Sequence, residues 1–165
     1  MKVFMFCVAA LVPTLVRAAD TSAVRAALAG LPPDFCPSLR SLVDAAGDGF
    51  AKVRGAERPG GEHVWAGTKL LPGASECVVF GGTPPAYSCT LYAGDDGDNA
   101  AATYDRGVSA LKDCLPGTWK TSEKVDGTHS RTTTATGGAP KLRVVSHDVS
   151  GDAYMVELWI DAPAP

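Results

Sequence analysis

Two cysteines that flank a turn almost symmetrically constrain the fold of this chain more than any other feature. Cys77 and Cys89 lie in two short apolar stretches, Glu76–Phe80 and Ala86–Tyr92. Glycines and prolines at positions 81–85 favour a turn between them, because glycine permits positive φ and proline fixes φ. The pattern predicts a β-hairpin that brings the two cysteines onto neighbouring strands.

The first 18 residues have the pattern of a secretory signal peptide. Lys2 precedes an apolar run, Val3–Val16, and the small side chains around Ala18 suit cleavage before Ala19. This run has 14 residues, whereas a helix that crosses a bilayer needs about 20. We therefore expect a signal peptide rather than a membrane anchor, and a periplasmic or secreted protein.

Removal of residues 1–18 would leave one mildly acidic domain. Of the 165 residues 147 would remain, and since Lys2 and Arg17 would be lost, the formal net charge would change from −3 to −5. A chain of this length forms a single domain, which we place at residues 19–160, followed by a frayed tail at residues 161–165. The remaining chain has no basic run and no second long apolar run, so we expect neither nucleic acid nor a membrane as a partner.

The cysteines that remain after residue 18 predict a disulfide framework. They are Cys36, Cys77, Cys89 and Cys114, and four cysteines in an exported chain allow three connectivities. Symmetry about the turn favours pairing of Cys77 with Cys89, which leaves Cys36 to pair with Cys114. A zinc site is the alternative, but the sequence has no C-x-x-C spacing and no histidine within a few residues of these cysteines. We therefore assign no metal and no cofactor.

Apolar periodicity predicts the helices and strands. One helix is expected over Asp34–Val53, weakened by two glycines, a second over Asp98–Leu115 with Asp98 as N-cap, and a short extra helix over Asp20–Leu31. Gly55–Glu62 is expected to be a loop. Strands are expected at His63–Leu71, Glu76–Phe80, Ala86–Tyr92, Trp119–Val125, Thr128–Thr136, Leu142–His147 and Ala153–Ile160.

This order predicts the fold class. The main elements follow the order α-βββ-α-ββββ, with no helix between consecutive strands, so the sheet should be antiparallel. We expect an α+β fold, a two-layer sandwich in which the two main helices pack on one face of the sheet and the disulfides staple the layers together. Within Ala153–Ile160, alternation places Met155, Glu157 and Trp159 on the face opposite Tyr154, Val156, Leu158 and Ile160.

Residues with catalytic potential do not converge in the sequence. His147 and Asp148 are adjacent on a strand and so point to opposite faces, and no G-x-S-x-G elbow frames a serine. The acidic cluster Asp95, Asp96 and Asp98 lacks the ligand spacing of an EF-hand loop, so helix capping is favoured over calcium binding. We assign no catalytic residue, although His63, His129 or His147 could serve as a base in a site assembled from distant residues.

Tryptophans on the predicted strands are candidates for core packing or for recognition. We expect at least two of Trp65, Trp119 and Trp159 in the core. A tryptophan left exposed would be an aromatic anchor for a partner, because such residues often carry binding energy at interfaces.

A set of turn, cysteine and aromatic positions resembles a family of small exported proteobacterial proteins of uncharacterised type. The matching positions are Leu71-Pro72-Gly73-Ala74, Cys77, Tyr87, Cys89, Cys114-Leu115-Pro116 and Trp119. The resemblance covers about Cys36 to Ile160 and implies export and fold, with no catalytic residue. The order of elements is also similar to that of type III secretion chaperones, a similarity of topology alone, which does not settle function.

These observations favour a non-enzymatic binding or accessory protein of the envelope, such as an immunity protein, an inhibitor or an assembly factor. Its partner would be another envelope protein, met through a contiguous apolar patch. A small envelope hydrolase is one alternative, which requires a histidine within reach of a carboxylate and a serine in a pocket. A structural envelope protein without a discrete ligand is the other.

Overall fold

The computed structural model describes residues 31–126, 130–151 and 153–164, which form two α-helices and eight β-strands. The helices are α1, Phe35–Ala45, and α2, Gly97–Cys114. The strands of the first half are β1, Arg54–Glu57, β2, Val64–Gly67, β3, Glu76–Phe80, and β4, Ala86–Gly94. Those of the second half are β5, Lys120–Val125, β6, Arg131–Thr136, β7, Lys141–Asp148, and β8, Tyr154–Asp161.

All eight strands form one antiparallel sheet, in the order β1-β2-β3-β4-β8-β7-β6-β5. Each half of the chain is a helix followed by a four-stranded meander. The two meanders join in the middle of the sheet, where β4 pairs with β8 from Ala86↔Asp161 to Gly94↔Tyr154. This junction brings together residues that are far apart in sequence, and the α+β prediction is confirmed.

The buried core contains side chains of both helices and of the sheet. Alternate residues of β8, Val156, Leu158 and Ile160, are at most 1% exposed, as the period-two pattern predicts. Helix α2 packs against β4, β7 and β8, and α1 packs against α2. Burial of each such aliphatic side chain contributes about 1.5–3 kcal/mol, so this side of the sheet and the helices hold each other in place.

The predicted disulfide bonds are present in the structure. Cys77 and Cys89 are directly opposite each other in the β3–β4 ladder, with Cα atoms 4.1 Å apart. Cys36 in the first turn of α1 is joined to Cys114 at the last residue of α2, with Cα atoms 4.9 Å apart. Arg40 adds a second tie between the helices, because its Nε donates to the carbonyl of Cys114 at 2.9 Å.

The first helix is shorter than the predicted Asp34–Val53. It ends at Ala45, and two short 3₁₀ turns follow, Ala46–Asp48 and Ala51–Val53. Gly49 and Phe50 both adopt a left-handed conformation with φ of 64°, which a continuing helix cannot accommodate and which glycine adopts at little cost. This reversal turns the completely buried Phe50 into the core.

A strand lies where the sequence predicts a loop. The segment Gly55–Glu62 contributes to β1, which pairs with β2 in an irregular register. The residues of β1 have little intrinsic preference for strands, so the neighbouring strand decides its conformation. Strand β2 is also shorter than the predicted His63–Leu71.

Helix α2 begins earlier than predicted. Its N-cap is Asp96 rather than Asp98, and the Asp96 carboxylate accepts from the backbone N–H groups of Asp98 and Asn99, both at 3.0 Å. Three aspartates stand within four positions, and the geometry of the turn after β4 selects among them. Within the acidic cluster, Asp96 is therefore the helix cap.

The chain ends are described in part. The predicted signal peptide at residues 1–18 and nearly all of the short helix predicted over Asp20–Leu31 lie outside the described residues. Strand β8 continues to Asp161, and the N–H of Ala162 donates to the carbonyl of Pro85 at 2.9 Å, so the ordered fold extends into the expected tail of residues 161–165. Neither of the helices in the described part of the chain combines the length and apolarity needed to cross a membrane.

Candidate functional site

The side of the sheet opposite the buried residues of β8 carries a group of aromatic and charged side chains. We call it the outer face and define it by the paired residues Val78, Ser88, Trp159 and Arg143 and the residues that alternate in step with them. Because successive side chains of a strand point to opposite faces, this set is distinct from the core residues of the same strands. Trp65 and Trp119 pack against the core, whereas Trp159 lies on the outer face.

A groove of about 360 Å³ lies on the outer face, between the β1–β2 loop and strands β3, β4 and β8. Loop residues 58–61 form one wall. Apolar side chains line much of the remainder: Val64, Val78, Phe80 and Met155. The volume falls within the range of about 300–1,000 Å³ that is usual for ligand sites.

Glu157 is held in a fixed orientation at the floor of this groove. Ser88, which is 3% exposed, donates from Oγ to Glu157 Oε1 at 3.1 Å. The indole Nε1–H of Trp159 donates to Glu157 Oε2 at 3.2 Å. A carboxylate offers about four acceptor positions, so each oxygen retains capacity for a further donor.

Trp159 contacts both an aromatic ring and a cation. The rings of Phe80 and Trp159 are stacked, with centroids 5.1 Å apart and planes inclined by 18°. The guanidinium carbon of Arg143 lies 5.3 Å from the Trp159 ring centroid, within cation–π range. Arg143 is itself fixed by two hydrogen bonds to Asp161, at 3.0 and 2.8 Å. The aromatic surface is therefore preorganised.

The rim of the groove is acidic. Arg58 pairs with Glu76 at 3.0 Å, and both side chains are exposed, so this pair contributes little to stability. A second hollow on the same loop adds Glu57 and Glu62. Together with Glu157 the two hollows carry four carboxylates against the single guanidinium of Arg58, a formal charge of −3. Such a local excess attracts cations.

The histidines considered as bases are not brought together around a serine. His63 is exposed, with a left-handed backbone at φ 58°, and its Nε2 is 3.9 Å from Glu62. His147 lies on β7 opposite Met155, and His129 is outside the described residues. The groove lining contains Ser88 and Glu157 but neither of the two described histidines. Within the described ranges no three His, Cys, Asp or Glu side chains are grouped as metal ligands.

A second polar cluster lies on the core side of the sheet and joins α2 to β5 and β6. The hydroxyl of Tyr104 is 2.7 Å from that of Thr133 and donates to Glu123 Oε1 at 3.3 Å. Arg131 donates from Nε to Glu123 at 2.9 Å, and its guanidinium lies 4.3 Å from the Tyr104 ring centroid. Burial raises the pKa of the Tyr104 phenol, although the hydrogen bond with Thr133 lowers it. These groups satisfy one another, which is typical of a structural tie.

Sequence reasoning did not single out Ser88, Phe80 or Glu157 as a site. Alternation in β8 did indicate that Met155, Glu157 and Trp159 face away from the core. The missing information was the pairing of β4 with β8, because Ser88 and Glu157 are separated by 69 positions in sequence. A local pattern does not report which distant strand is the neighbour.

Comparison of the chain with protein-family models, with curated proteins and with solved structures gives no match. The resemblance to small exported proteobacterial proteins therefore stays a prediction.

Proposed function

We propose that the chain is an exported, non-enzymatic binding protein that acts on another protein of the envelope through its outer face. The observation that carries the proposal is the groove beside the stacked pair Phe80 and Trp159. Large aromatic side chains held rigid before binding lose little conformational freedom when a partner docks. They are therefore suited to act as anchors.

The proposal includes the two-layer arrangement expected from the sequence. We infer that both helices cover the core side of the sheet, because α2 packs against the central strands and α1 packs against α2. The β1–β2 loop lies beside the outer face, where residues 58–61 form one wall of the groove. A rigid sheet with one free face is a suitable platform for recognition.

Export to the periplasm or beyond is supported by the disulfides. Cys36, Cys77, Cys89 and Cys114 are all paired in the structure, and structural disulfides persist in oxidising compartments. This agrees with the signal-peptide pattern of residues 1–18.

The occupant that we propose is an extended segment of a partner protein, with apolar side chains and a net positive charge. The groove is more open to solvent than enclosed, which suits a chain segment better than a buried small molecule. Its apolar lining requires apolar contacts, and its formal charge of −3 with the adjoining hollow requires basic residues.

Peptide display against the oxidised protein tests this proposal. Selected peptides should combine apolar and basic residues, and fluorescence anisotropy should show about tenfold weaker binding to Phe80→Ala, which removes the ring stacked on Trp159. The matched control is Leu70→Ala, a truncation of a side chain that is 52% exposed outside the groove. Met155→Ala provides a second groove variant, in case Phe80→Ala perturbs the fold.

Two results would refute the proposal. One is the recovery of acidic peptides, because these should be repelled by the groove. The other is equal affinity for the wild type and for both groove variants, which would place the binding surface elsewhere.

A further inference from the structure

We infer that the groove receives the ammonium or guanidinium group of a lysine or arginine side chain from the partner segment, with Glu157 as its counter-ion. This inference rests on the proposed function and names the group that the groove recognises.

Two carboxylates line the groove, Glu76 and Glu157, and of these Glu157 is the one without a cationic partner among the described residues. Arg58 of the groove lining is already paired with Glu76, and Arg143, which contacts Trp159, is paired with Asp161. The ion pairs formed within the described ranges do not include Glu157. Its hydrogen-bond donors, Ser88 and Trp159, are both neutral. A partly buried negative charge without a positive partner is costly, and an incoming cation relieves that cost.

The surroundings of Glu157 suit a cation on an alkyl stem. The apolar groups of Val64, Val78, Phe80 and Met155 line the same groove and offer contacts to methylene groups. Lysine and arginine carry a charged head on such a stem. Each oxygen of Glu157 keeps capacity for one more donor, so it accepts an N–H without breaking its bonds to Ser88 or Trp159.

Other ligand chemistries fit the groove less well. An anion would meet Glu157 and the acidic rim. A neutral apolar group would cover the carboxylate without compensating its charge, at a cost in free energy. A cation on an alkyl stem compensates the charge of Glu157 and also makes contacts with the apolar side chains of the groove.

The indole of Trp159 provides a direct reporter for a first test. In ¹⁵N-labelled protein, the Nε1–H resonance of Trp159, assigned with Trp159→Phe, reports on the Glu157 carboxylate that accepts from it. Pentylammonium should shift this resonance in a saturable way. The neutral analogue pentanol, at the same concentration, should shift it much less. Equal shifts from both compounds would refute recognition of the charge.

Glu157→Gln removes the charge and keeps the size of the side chain. In this variant we expect the shift caused by pentylammonium to be lost. Asp113→Asn, the same chemical change at an exposed position on α2, should respond as the wild type does. A response of Glu157→Gln equal to that of the wild type would overturn the inference. Thermal unfolding of both variants verifies that they are folded.

Selected peptides separate this inference from the proposed function. Each lysine or arginine is replaced in turn by norleucine, which keeps an alkyl stem without the charge. One replacement should weaken binding to the wild type about tenfold, equivalent to about 1.4 kcal/mol, and should have little effect on binding to Glu157→Gln. If Phe80→Ala abolishes binding while no norleucine replacement matters, the proposed function stands and the role of Glu157 is refuted. If neither change matters, both are refuted.

Discussion

The hydroxyls of Tyr104 and Thr133 lie 2.7 Å apart, and both residues are buried between α2 and β6. We expect Tyr104→Phe to lower the free energy of unfolding by about 1–2 kcal/mol, because the Thr133 hydroxyl loses its partner in a buried position. Thr133→Val should cost less, because the Tyr104 hydroxyl keeps its hydrogen bond to Glu123. The double variant should cost less than the two single changes together, because neither polar group is then left unpaired. Urea denaturation of the four proteins measures this coupling, and simple additivity would contradict it.

Two buried phenols should make the protein less stable in alkali. Burial raises the pKa of Tyr87 and of Tyr104 above the ordinary value of 10.0. Below that value both phenols keep their protons in the folded and unfolded chains, and their burial makes its full contribution to the free energy of unfolding. As the pH rises above it, the unfolded chain loses protons that the folded chain retains, so the free energy of unfolding falls until the folded-state pKa is passed.

Urea denaturation at increasing pH measures this dependence. Tyr87→Phe and Tyr104→Phe should each flatten the decline above the ordinary tyrosine pKa of 10.0, whereas Leu70→Ala should decline as the wild type does. If the free energy of unfolding falls with the same slope against pH in the wild type and in Tyr104→Phe, burial of the Tyr104 phenol is not the cause of the loss of stability in alkali.

The two disulfides should differ in their contribution to stability. Cys36 and Cys114 are 78 positions apart, whereas Cys77 and Cys89 are 12 apart. In the chain-entropy model the longer loop contributes about 4.5 kcal/mol and the shorter about 3 kcal/mol. Urea denaturation should therefore show a larger loss for Cys36→Ala/Cys114→Ala than for Cys77→Ala/Cys89→Ala. The reverse order would show that packing dominates over chain entropy.

Peptide mapping without reductant provides an independent measurement of the framework. We expect one peptide that links Cys36 to Cys114 and another that links Cys77 to Cys89. Recovery of Cys36 joined to Cys77, or of free thiols at these positions in the exported protein, would contradict the framework.

Gly67 should not tolerate a side chain. A Cβ atom at this position would overlap the phenol oxygen of Tyr87 and lie 2.8 Å from its Cζ atom and 3.0 Å from the carbonyl oxygen of Cys77. Tyr87 is completely buried and its hydroxyl donates to the carbonyl of Lys69 at 2.6 Å, so it has little room to move. We expect Gly67→Ala to lower the free energy of unfolding by about 1–3 kcal/mol.

The matched control for this change is Gly47→Ala. No atom lies within 4 Å of a Cβ built at Gly47, so alanine there should leave stability unchanged or raise it by a few tenths of a kcal/mol, up to about 1. Thermal unfolding of the two variants compares them directly. Equal stability would show that the sheet relaxes around Gly67 without cost.

Elements with a strong local pattern were predicted closely. Strand β3 has the predicted bounds, Glu76–Phe80, and β8 has the predicted alternation of core and outer residues. Both have apolar or alternating sequences bounded by turn residues, and such information is local. The hairpin between β3 and β4 follows from the turn at positions 81–85, because the turn sets which residues face each other.

Elements whose conformation depends on a neighbour were predicted poorly. Strand β1 has a polar, glycine-containing sequence and is a strand because β2 lies beside it. The end of α1 is set by the left-handed Gly49 and Phe50, which turn Phe50 into the core. Neither event leaves a periodic signal in the sequence, because the stabilising contacts come from residues that are remote along the chain.

Residue type and local spacing were enough to predict the α+β class, the cysteines available for pairing and the side of β8 that faces the core. Only the tertiary structure decided that β4 and β8 are neighbours, which places Ser88 against Glu157 and leaves Phe80 within reach of Trp159. The pairing of strands depends on the total burial and hydrogen bonding of the whole sheet, to which segments that are distant in sequence contribute. Local spacing carries no information about that total. The candidate binding groove therefore forms only when the two halves of the sheet pair through β4 and β8.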